Sequence, residues 1–324
     1  MKAIIHTRYG PPDLLELKDI ETPVPGPGQV LVRVHAASIN PLDWHTMRGE
    51  PYFLRIGNGL RRPKRRELGV DLAGRVTAVG ANVAHLRPGD EVFGCAYGAL
   101  GEYACGEADK LAAKPAKLSF EQAAAIPVAA LTALQGLRDK GRILSGHRVL
   151  IVGASGGVGT FAVQIAKAFG AEVAGVCSTG NLDLVRSLGA DHVVDYTRED
   201  FVASERRYDL ILDSIGNRSL AECRRVMTPE GSLVIIGAPG GRWIAGLTRF
   251  AAALATSPFV SQKLRPFVAR ITRQDLVAIR ELVEADQVTP VLARTYALGD
   301  TPEALRHLGE GHARGKVVIR VAEA

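Results

Sequence analysis

The stretch Val149–Gly159, VLIVGASGGVG, constrains this chain more than any other. A stiff apolar run breaks into Gly153, Gly156, Gly157 and Gly159, and the helical sequence VGTFAVQIAKAFG follows at once. A strand feeding a glycine turn that opens a helix is the context a dinucleotide fingerprint requires. Gly153 suits the tight turn, Gly157 lets backbone approach a pyrophosphate, and Gly159 lets the helix pack on the strand. Ala154 and Val158 complete the loop. Unpaired N–H groups and the positive end of the helix dipole favour an anion there. A tight turn alone would not need so many glycines.

The rhythm around the loop fits that reading. From residue 119 onward, strands alternate with helices: RVLIVG, EVAGV, HVVDY, YDLILDSIG and GSLVIIGA are nearly continuous apolar runs with helical stretches between them. Such runs predict a parallel sheet covered on both faces. Ser119 is an N-cap candidate, with Gln122 at the capping-box position. The part before residue 119 is different. QVLVRVHAASI, AGRVTAVGANV and DEVFG are short strands separated by Pro/Gly turns such as PVPGPGQ and RPGD. They predict an all-β module, a partly open barrel. The chain is 324 residues long, more than one core usually organises. The expected division is therefore α/β with two domains: 1–120, completed by about 270–324, and a dinucleotide-binding domain over 121–269. The last strand, KVVIRV, is expected to return to the first domain.

The choice between NAD and NADP is read at the end of the second strand of the dinucleotide unit. That strand ends GVCSTGN, and Val176, Cys177 and Ser178 are not acids. No carboxylate accepts the ribose 2′-hydroxyl or repels a 2′-phosphate. Ser178 and Thr179 can donate hydrogen bonds to a phosphate, with Asn181 beside them. NADPH is the expected cofactor, with NADH weaker.

Several function classes lose support. No apolar run reaches the length of a membrane span, and MKAIIHTRYG reads as a first strand rather than a signal peptide. Cys95, Cys105, Cys177 and Cys223 lie far apart, as reduced thiols of a cytoplasmic protein would. The net charge is +6, and Arg61, Arg62, Lys64, Arg65 and Arg66 crowd into one stretch. An anion or nucleic-acid patch and a solvated loop both fit that run. Nothing else suggests a nucleic-acid fold.

In order along the chain, PVPGPGQVLVRV, INPLDW, LGVDLAGRVTAVG, RPGDEVFG, GASGGVGTFAVQIAKAFGA and SLGADHVVDY resemble the medium-chain dehydrogenase/reductases, specifically the quinone oxidoreductase branch. The resemblance covers nearly the whole chain. It implies a GroES-like catalytic domain, a Rossmann domain and an active-site cleft between them. The alcohol dehydrogenases of that family carry a catalytic zinc. Their ligand positions correspond here to Asn40, Val70 and Val128, which are poor zinc ligands. The four-cysteine structural zinc lobe is missing too. No metal is expected. Without a Lewis acid nothing lowers an alcohol pKa, whereas hydride transfer to a polarised double bond remains accessible. The resemblance implies the same: zinc-free members reduce quinones, enones and alkenals with NADPH.

It also implies roles for particular residues. Asn40 replaces a zinc ligand, and its amide could bond the substrate carbonyl or the nicotinamide ribose; a turn Asn before Pro41 is the plainer reading. Asp43 either orients neighbours in the site or caps a helix. Tyr52 is a candidate proton or hydrogen-bond donor, or a ring that only packs. Thr132 matches a residue near the nicotinamide in relatives, or bonds its own helix. Tyr196 matches an adenine-side contact. Ile215 and Gly237, at the ends of later strands, complete the cofactor set. Lys316 matches the GK step before the last strand and is expected to reach the phosphates, or is solvated.

Trp243 to Val260, WIAGLTRFAAALATSPFV, is more apolar than a surface loop should be. It reads as a lid over a hydrophobic substrate, as a dimer or membrane-surface contact, or as a packed helix. The leading expectation is a homodimeric, NADPH-dependent, zinc-free reductase of quinones or activated double bonds. A carbonyl reductase or alcohol dehydrogenase, and an NADPH-binding protein with little activity, are the alternatives.

Overall fold

Residues 1–237, 247–311 and 313–322 are described by the structure, a computed structural model. Along them run β1 (Lys2–Ile5), β2 (Glu16–Asp19), β3 (Gln29–Ile39), β4 (Asp71–Val79), β5 (Glu91–Cys95), β6 (Tyr103–Glu107), β7 (Leu111–Ala113), β8 (Arg148–Val152), β9 (Glu172–Cys177), β10 (His192–Asp195), β11 (Tyr208–Asp213), β12 (Met227–Ile235), β13 (Lys263–Pro266), β14 (Leu292–Ala297) and β15 (Lys316–Arg320). They divide between two units: Met1–Val128 with Ile271–Glu284 and Pro290–Ala324, and Ala129–Arg270 with Ala285–Thr289.

In the first unit the sheet order is β14-β15-β3-β4-β5-β7, with β6 also on β3. This is the GroES-like half. β3 explains how its sequence folds. Val30, Val32 and Val34 are buried while Arg33 is exposed, so one face meets the core. From Ala36 to Ile39 every residue is buried, because both faces are covered there. The core joins β3 to Leu72, Val92, Leu111, Val317 and Ile319. β15 lies antiparallel on β3 with Val317 opposite Ile39, and β4 lies on the other side with Asp71 opposite Ser38. β5 then sets Cys95 opposite Asp71. These three registers bring distant polar residues to one end of the sheet.

The second unit is a parallel six-stranded sheet in the order β10-β9-β8-β11-β12-β13, the Rossmann arrangement. Its buried strands carry the continuous apolar runs expected of a doubly covered sheet; Leu150, Ala174, Ile211 and Leu233 lie in its core. The order reverses between β9 and β11 around β8, the switch point where ligands bind in such sheets. β13, KLRP, is not evident in the sequence reading. It is short, and it lies at the edge, where the missing N–H of Pro266 is tolerated.

Ser119 caps the helix Phe120–Ala124: its Oγ accepts from the Gln122 amide at 3.2 Å while Gln122 Oε1 accepts from the Ser119 amide at 3.0 Å. Pro127 begins the next helix, Pro127–Gln135, at a position where no N–H is needed. Part of the apolar segment 243–260 lies outside the described residues. The rest forms the helix Leu247–Thr256 and a short turn after it, with Leu254 and Phe259 strongly exposed. No helix among the described residues is long and apolar enough to cross a membrane.

Candidate active site

The glycine loop leaves β8 and enters the helix Gly157–Ala168. Gly153 has φ +83°, a conformation that disfavours any side chain. A Cβ on Gly159 would stand 2.0 Å from the Gly153 carbonyl oxygen, so the helix closes onto the turn only without one. A Cβ on Gly156 would meet only that same oxygen, at 3.4 Å, so no packing demands glycine there. This loop fits a dinucleotide: glycine is sterically required at the turn and the helix contact, and Gly156, capping the helix, adds room for a close ligand. Gly157 and Val158 open the helix, and Ala154 is buried in the turn. Gly237 serves a different contact, because a Cβ there would stand 1.9 Å from the Ser214 carbonyl oxygen. It lets the ends of β11 and β12 approach. Ile215, beside that contact, is 47% exposed.

The turn Ser214–Gly216 is tied to a buried ion pair absent from the sequence reading. Asp213 Oδ1 accepts the Ile215 and Gly216 amides at 3.1 and 2.8 Å. Its Oδ2 accepts from Arg249 Nη2 at 2.5 Å, and Arg249 also donates to the carbonyls of Gly216 and Arg218. The only sequence signal was an acid at the end of an apolar strand, in DLILD.

At the end of β9 the hydroxyls are already engaged. Ser178 Oγ accepts from Asn181 Nδ2 at 3.0 Å, leaving its own proton available to a ligand. Thr179 Oγ1 instead donates to Asp195 Oδ2 at 2.5 Å. Residues 176–178 carry no acid, but the parallel register sets Asp195 opposite Cys177, a carboxylate that linear reading missed. This corrects two expectations: a carboxylate does stand at this strand end, and the Thr179 proton is committed to it. Asp195 also accepts from the Thr197 hydroxyl and amide at 2.7 and 3.0 Å. The Thr179 hydrogen bond, with those from Thr197, holds its carboxyl below the usual range. Tyr196, next in the chain, is 52% exposed. Thr132 is buried in the helix Pro127–Gln135.

Asn40, Asp43 and Lys316 come together in the first unit. Asn40 precedes the helix Pro41–Arg48, and Asp43 Oδ2 accepts the Asn40 amide N–H at 2.8 Å. The capping reading of Asp43 is thus realised. The Asn40 side chain is held at both ends. Its Nδ2 donates to Asp71 Oδ2 at 2.9 Å, and its Oδ1 accepts from Lys316 Nζ at 2.6 Å. Lys316 also donates to the Ile39 carbonyl at 3.0 Å and lies 3.6 Å from Asp71. The expected reach of Lys316 to the phosphates is therefore replaced. The pairing of β15 with β3 buries its ammonium against Ile39, Asn40 and Asp71 instead.

Asp71 is the centre of this cluster and was missing from the sequence reading, where LGVDLAG shows only a lone acid in an apolar run. It is fully buried, and accepts further from Ser38 Oγ at 3.1 Å, Cys95 Sγ at 3.3 Å and the Val128 amide at 3.1 Å. Burial pushes the Asp43 carboxyl up to about 7, with the Asp71 charge adding to the rise. Burial lowers the Lys316 ammonium, opposed by Asp71 and Asp43. Cys95 is driven well above its usual range, first by burial and then by Asp71.

Tyr52 sits elsewhere in the same unit, its ring 4.6 Å from the Arg55 guanidinium, which stacks at 4.6 Å on Tyr9 as well. Arg61, Arg62, Lys64, Arg65 and Arg66 are all exposed, and Arg65 lies 4.0 Å over the Tyr97 ring.

A GroES-like unit and a Rossmann unit with a dinucleotide loop define a dehydrogenase/reductase. The family described as alcohol dehydrogenase GroES-like domain matches residues 26–132, and that described as zinc-binding dehydrogenase matches 188–319. The chain is 35% identical to human NAD(P)H oxidoreductase RTN4IP1, mitochondrial, over 99% of this chain and 89% of that protein. It is 33% identical to the NADPH-dependent alkenal/one oxidoreductase, chloroplastic, of Arabidopsis thaliana, over 98% of this chain and 79% of that one. Among solved structures, Escherichia coli quinone oxidoreductase complexed with NADPH superposes with a TM-score of 0.84, at 25% identity over 99% of this chain and 100% of that one. The chain belongs to the medium-chain dehydrogenase/reductase superfamily, in its quinone oxidoreductase-like branch.

Proposed function

We propose that this chain is an NADPH-dependent, zinc-independent reductase of quinones and α,β-unsaturated carbonyls. The observation that carries the reading is the Asn40 cluster. Where zinc-dependent members of the superfamily have a metal-ligating side chain, this chain has an amide bonded to a buried ammonium and a buried carboxylate. Val70 and Val128 offer no ligand atoms at the other two positions.

NADPH supplies the hydride when bound. The residues of the chain bind and orient. The glycine loop would take the pyrophosphate on backbone N–H groups at the helix start. Ser178, its hydroxyl held by Asn181, would donate to the 2′-phosphate, and Tyr196 would contact the adenine. Ile215, Gly237 and Thr132 would hold the nicotinamide end. In the first unit Asn40 donates an N–H to the carbonyl oxygen, where negative charge develops as hydride arrives at the β-carbon. Asp43 fixes the Asn40 backbone, and Tyr52 is a proton or hydrogen-bond donor to the reduced product. Electrostatic stabilisation of that oxygen does what a Lewis acid does in zinc enzymes.

The experiment is NADPH deuterated at the transferred position, offered with a simple enone and a benzoquinone, alongside metal analysis. Label at the β-carbon, and turnover unaffected by chelators, are expected. Label at the carbonyl carbon, or one zinc per chain lost together with activity, would overturn the reading.

A homodimer fits the exposed Leu254 and Phe259, and light scattering checks it. Four unpaired thiols, at Cys95, Cys105, Cys177 and Cys223, fit a reducing compartment such as the cytoplasm.

A further inference from the structure

We propose that Lys316 and Asp71 are positioning residues that lock the Asn40 amide in one of its two flip states, so that the group it offers a substrate is an N–H and never a carbonyl oxygen. The proposal rests on the reading of Asn40 given above and deepens it.

An asparagine amide has a donating end and an accepting end of nearly equal size, and in a neutral pocket either can face a ligand. Here the surroundings decide. An ammonium has three donors and no acceptor, so only Oδ1 can lie against Lys316 Nζ, at 2.6 Å. An ionised carboxylate only accepts, so only Nδ2 can lie 2.9 Å from Asp71 Oδ2. Turning the amide over would press N–H against ammonium and oxygen against carboxylate at the same distances. Both contacts would be repulsive, in a place where Asn40, Asp71 and Lys316 are nearly or wholly buried. The backbone of Asn40 is pinned as well, through Asp43. Ser38, Cys95 and the Val128 amide in turn fix the Asp71 carboxylate from three sides. One Nδ2 hydrogen is taken by Asp71, so the second is the one left for a substrate oxygen. A site locked in this way selects ligands with an accepting oxygen, such as ketones, enals and quinones. It disfavours ligands that present a hydroxyl hydrogen.

A double-mutant cycle between Asn40→Ala and Lys316→Met tests this, read with a simple enone and NADPH. Two controls are the dissociation constant of NADPH and the thermal midpoint. Lys316→Met is expected to lower kcat for the enone at least tenfold with the NADPH constant unchanged. In the Asn40→Ala background the same change is expected to cost nothing more. Lys316→Gln, which restores an uncharged N–H donor, is expected to recover part of the loss. A merely structural lysine would instead cost the same in both backgrounds, and that additivity would overturn the proposal. So would an Asn40→Ala variant with unchanged kcat.

If removing the cation alone prevents folding, Lys316→Met with Asp71→Asn removes both charges together and the cycle is run from that pair. A reading that does not need turnover is the binding of an unreactive saturated ketone to the NADP⁺-loaded protein. Coupling between Asn40 and Lys316 in ketone binding, with no enone or quinone reduced by the parent, would sink the reductase reading and keep this one. Reduction by the parent with no coupling in either readout would do the reverse.

Discussion

The glycine loop and the Asn40 cluster, the two halves of the proposed site, are assembled by opposite means. The loop works by omission: it is one continuous stretch whose function depends on absent side chains and on backbone N–H groups. The cluster works by accumulation: Ser38, Asn40 and Asp43, at the end of β3 and the start of the helix after it, meet Asp71 of β4, Cys95 of β5 and Lys316 of β15 because three β-registers agree. A loop of the first kind is cheap to specify and easily broken by adding atoms. A cluster of the second kind is broken by removing one.

The largest expected effect follows from that contrast. Asp71→Ala leaves the Lys316 ammonium buried without its carboxylate, and removing one partner of a buried pair costs about 3–5 kcal/mol. Denaturant unfolding checks it; a loss below about 1 kcal/mol would mean water reaches the cluster and the two regions differ less than argued.

The same contrast explains what was legible in the sequence. The loop could be read directly, because Gly153 to Gly159 carry their meaning in their spacing, and the apolar strands around them announce a parallel sheet. Asn40 and Asp43 were singled out by position, but their partners were not. Asp71 has no local pattern, since a buried acid and an exposed one look alike in LGVDLAG. Lys316 was read toward the phosphates from its GK step, or as solvated, and neither reading contained the pairing of β15 with β3. Asp195 was missed for a similar reason: it lies beside Thr179 through sheet register, 16 positions further along the chain. Arg249 reaches Asp213 across 36 positions, and none of the readings of its segment, as a lid, an interface or a packed helix, contained that ion pair.

Next in size are two alanines in the loop. Gly159→Ala places a Cβ 2.0 Å from a backbone oxygen, and overpacking of that kind costs about 1–3 kcal/mol. Thermal midpoint and NADPH affinity should fall together. Gly156→Ala has room, so its midpoint should move by no more than about 2 °C, while NADPH affinity drops about tenfold, or 1.4 kcal/mol. Equal effects in the two variants would show that glycine serves packing alone at both positions.

Asp43 sharpens the comparison from the other side, because no group in the loop titrates. Its carboxyl is raised from 3.8 to about 7 in the folded chain. The folded state therefore binds a proton more readily than the unfolded state between those values, and stability falls as pH rises through that window. Asp43→Asn does not titrate. Relative to the parent it should gain at least about 1 kcal/mol between pH 5 and pH 8. Paired melting curves across that range would show it, and parallel curves would place the Asp43 carboxyl in water.

The smallest effect concerns cofactor choice. No basic side chain follows Ser178 and Thr179 closely, and Thr179 is committed to Asp195, so the parent should prefer NADPH only modestly. Gly180 is exposed and not among the glycines with positive φ, so its backbone conformation does not disfavour a side chain. Gly180→Arg adds a partly exposed cation and should raise the NADPH-to-NADH affinity ratio about three- to fivefold, less in high salt. A parent that already discriminates a thousandfold would show that another cation reaches the phosphate.

Lys316 lies 276 residues beyond Asn40, and that distance sets an order of assembly during synthesis. A ribosome delivers the chain from its N-terminus, and domains fold as their residues emerge. All six strands of the parallel sheet, β8 to β13, are out before β14 and β15 exist. The nucleotide-binding unit can therefore close while the first unit still waits, with Asp71 made but its cation missing and the flank of β3 uncovered. Only the strand Lys316–Arg320 ends that wait, covering the flank and supplying the ammonium in one step. A nascent chain stopped short of residue 316 would carry the glycine loop but not the cation that holds the Asn40 amide.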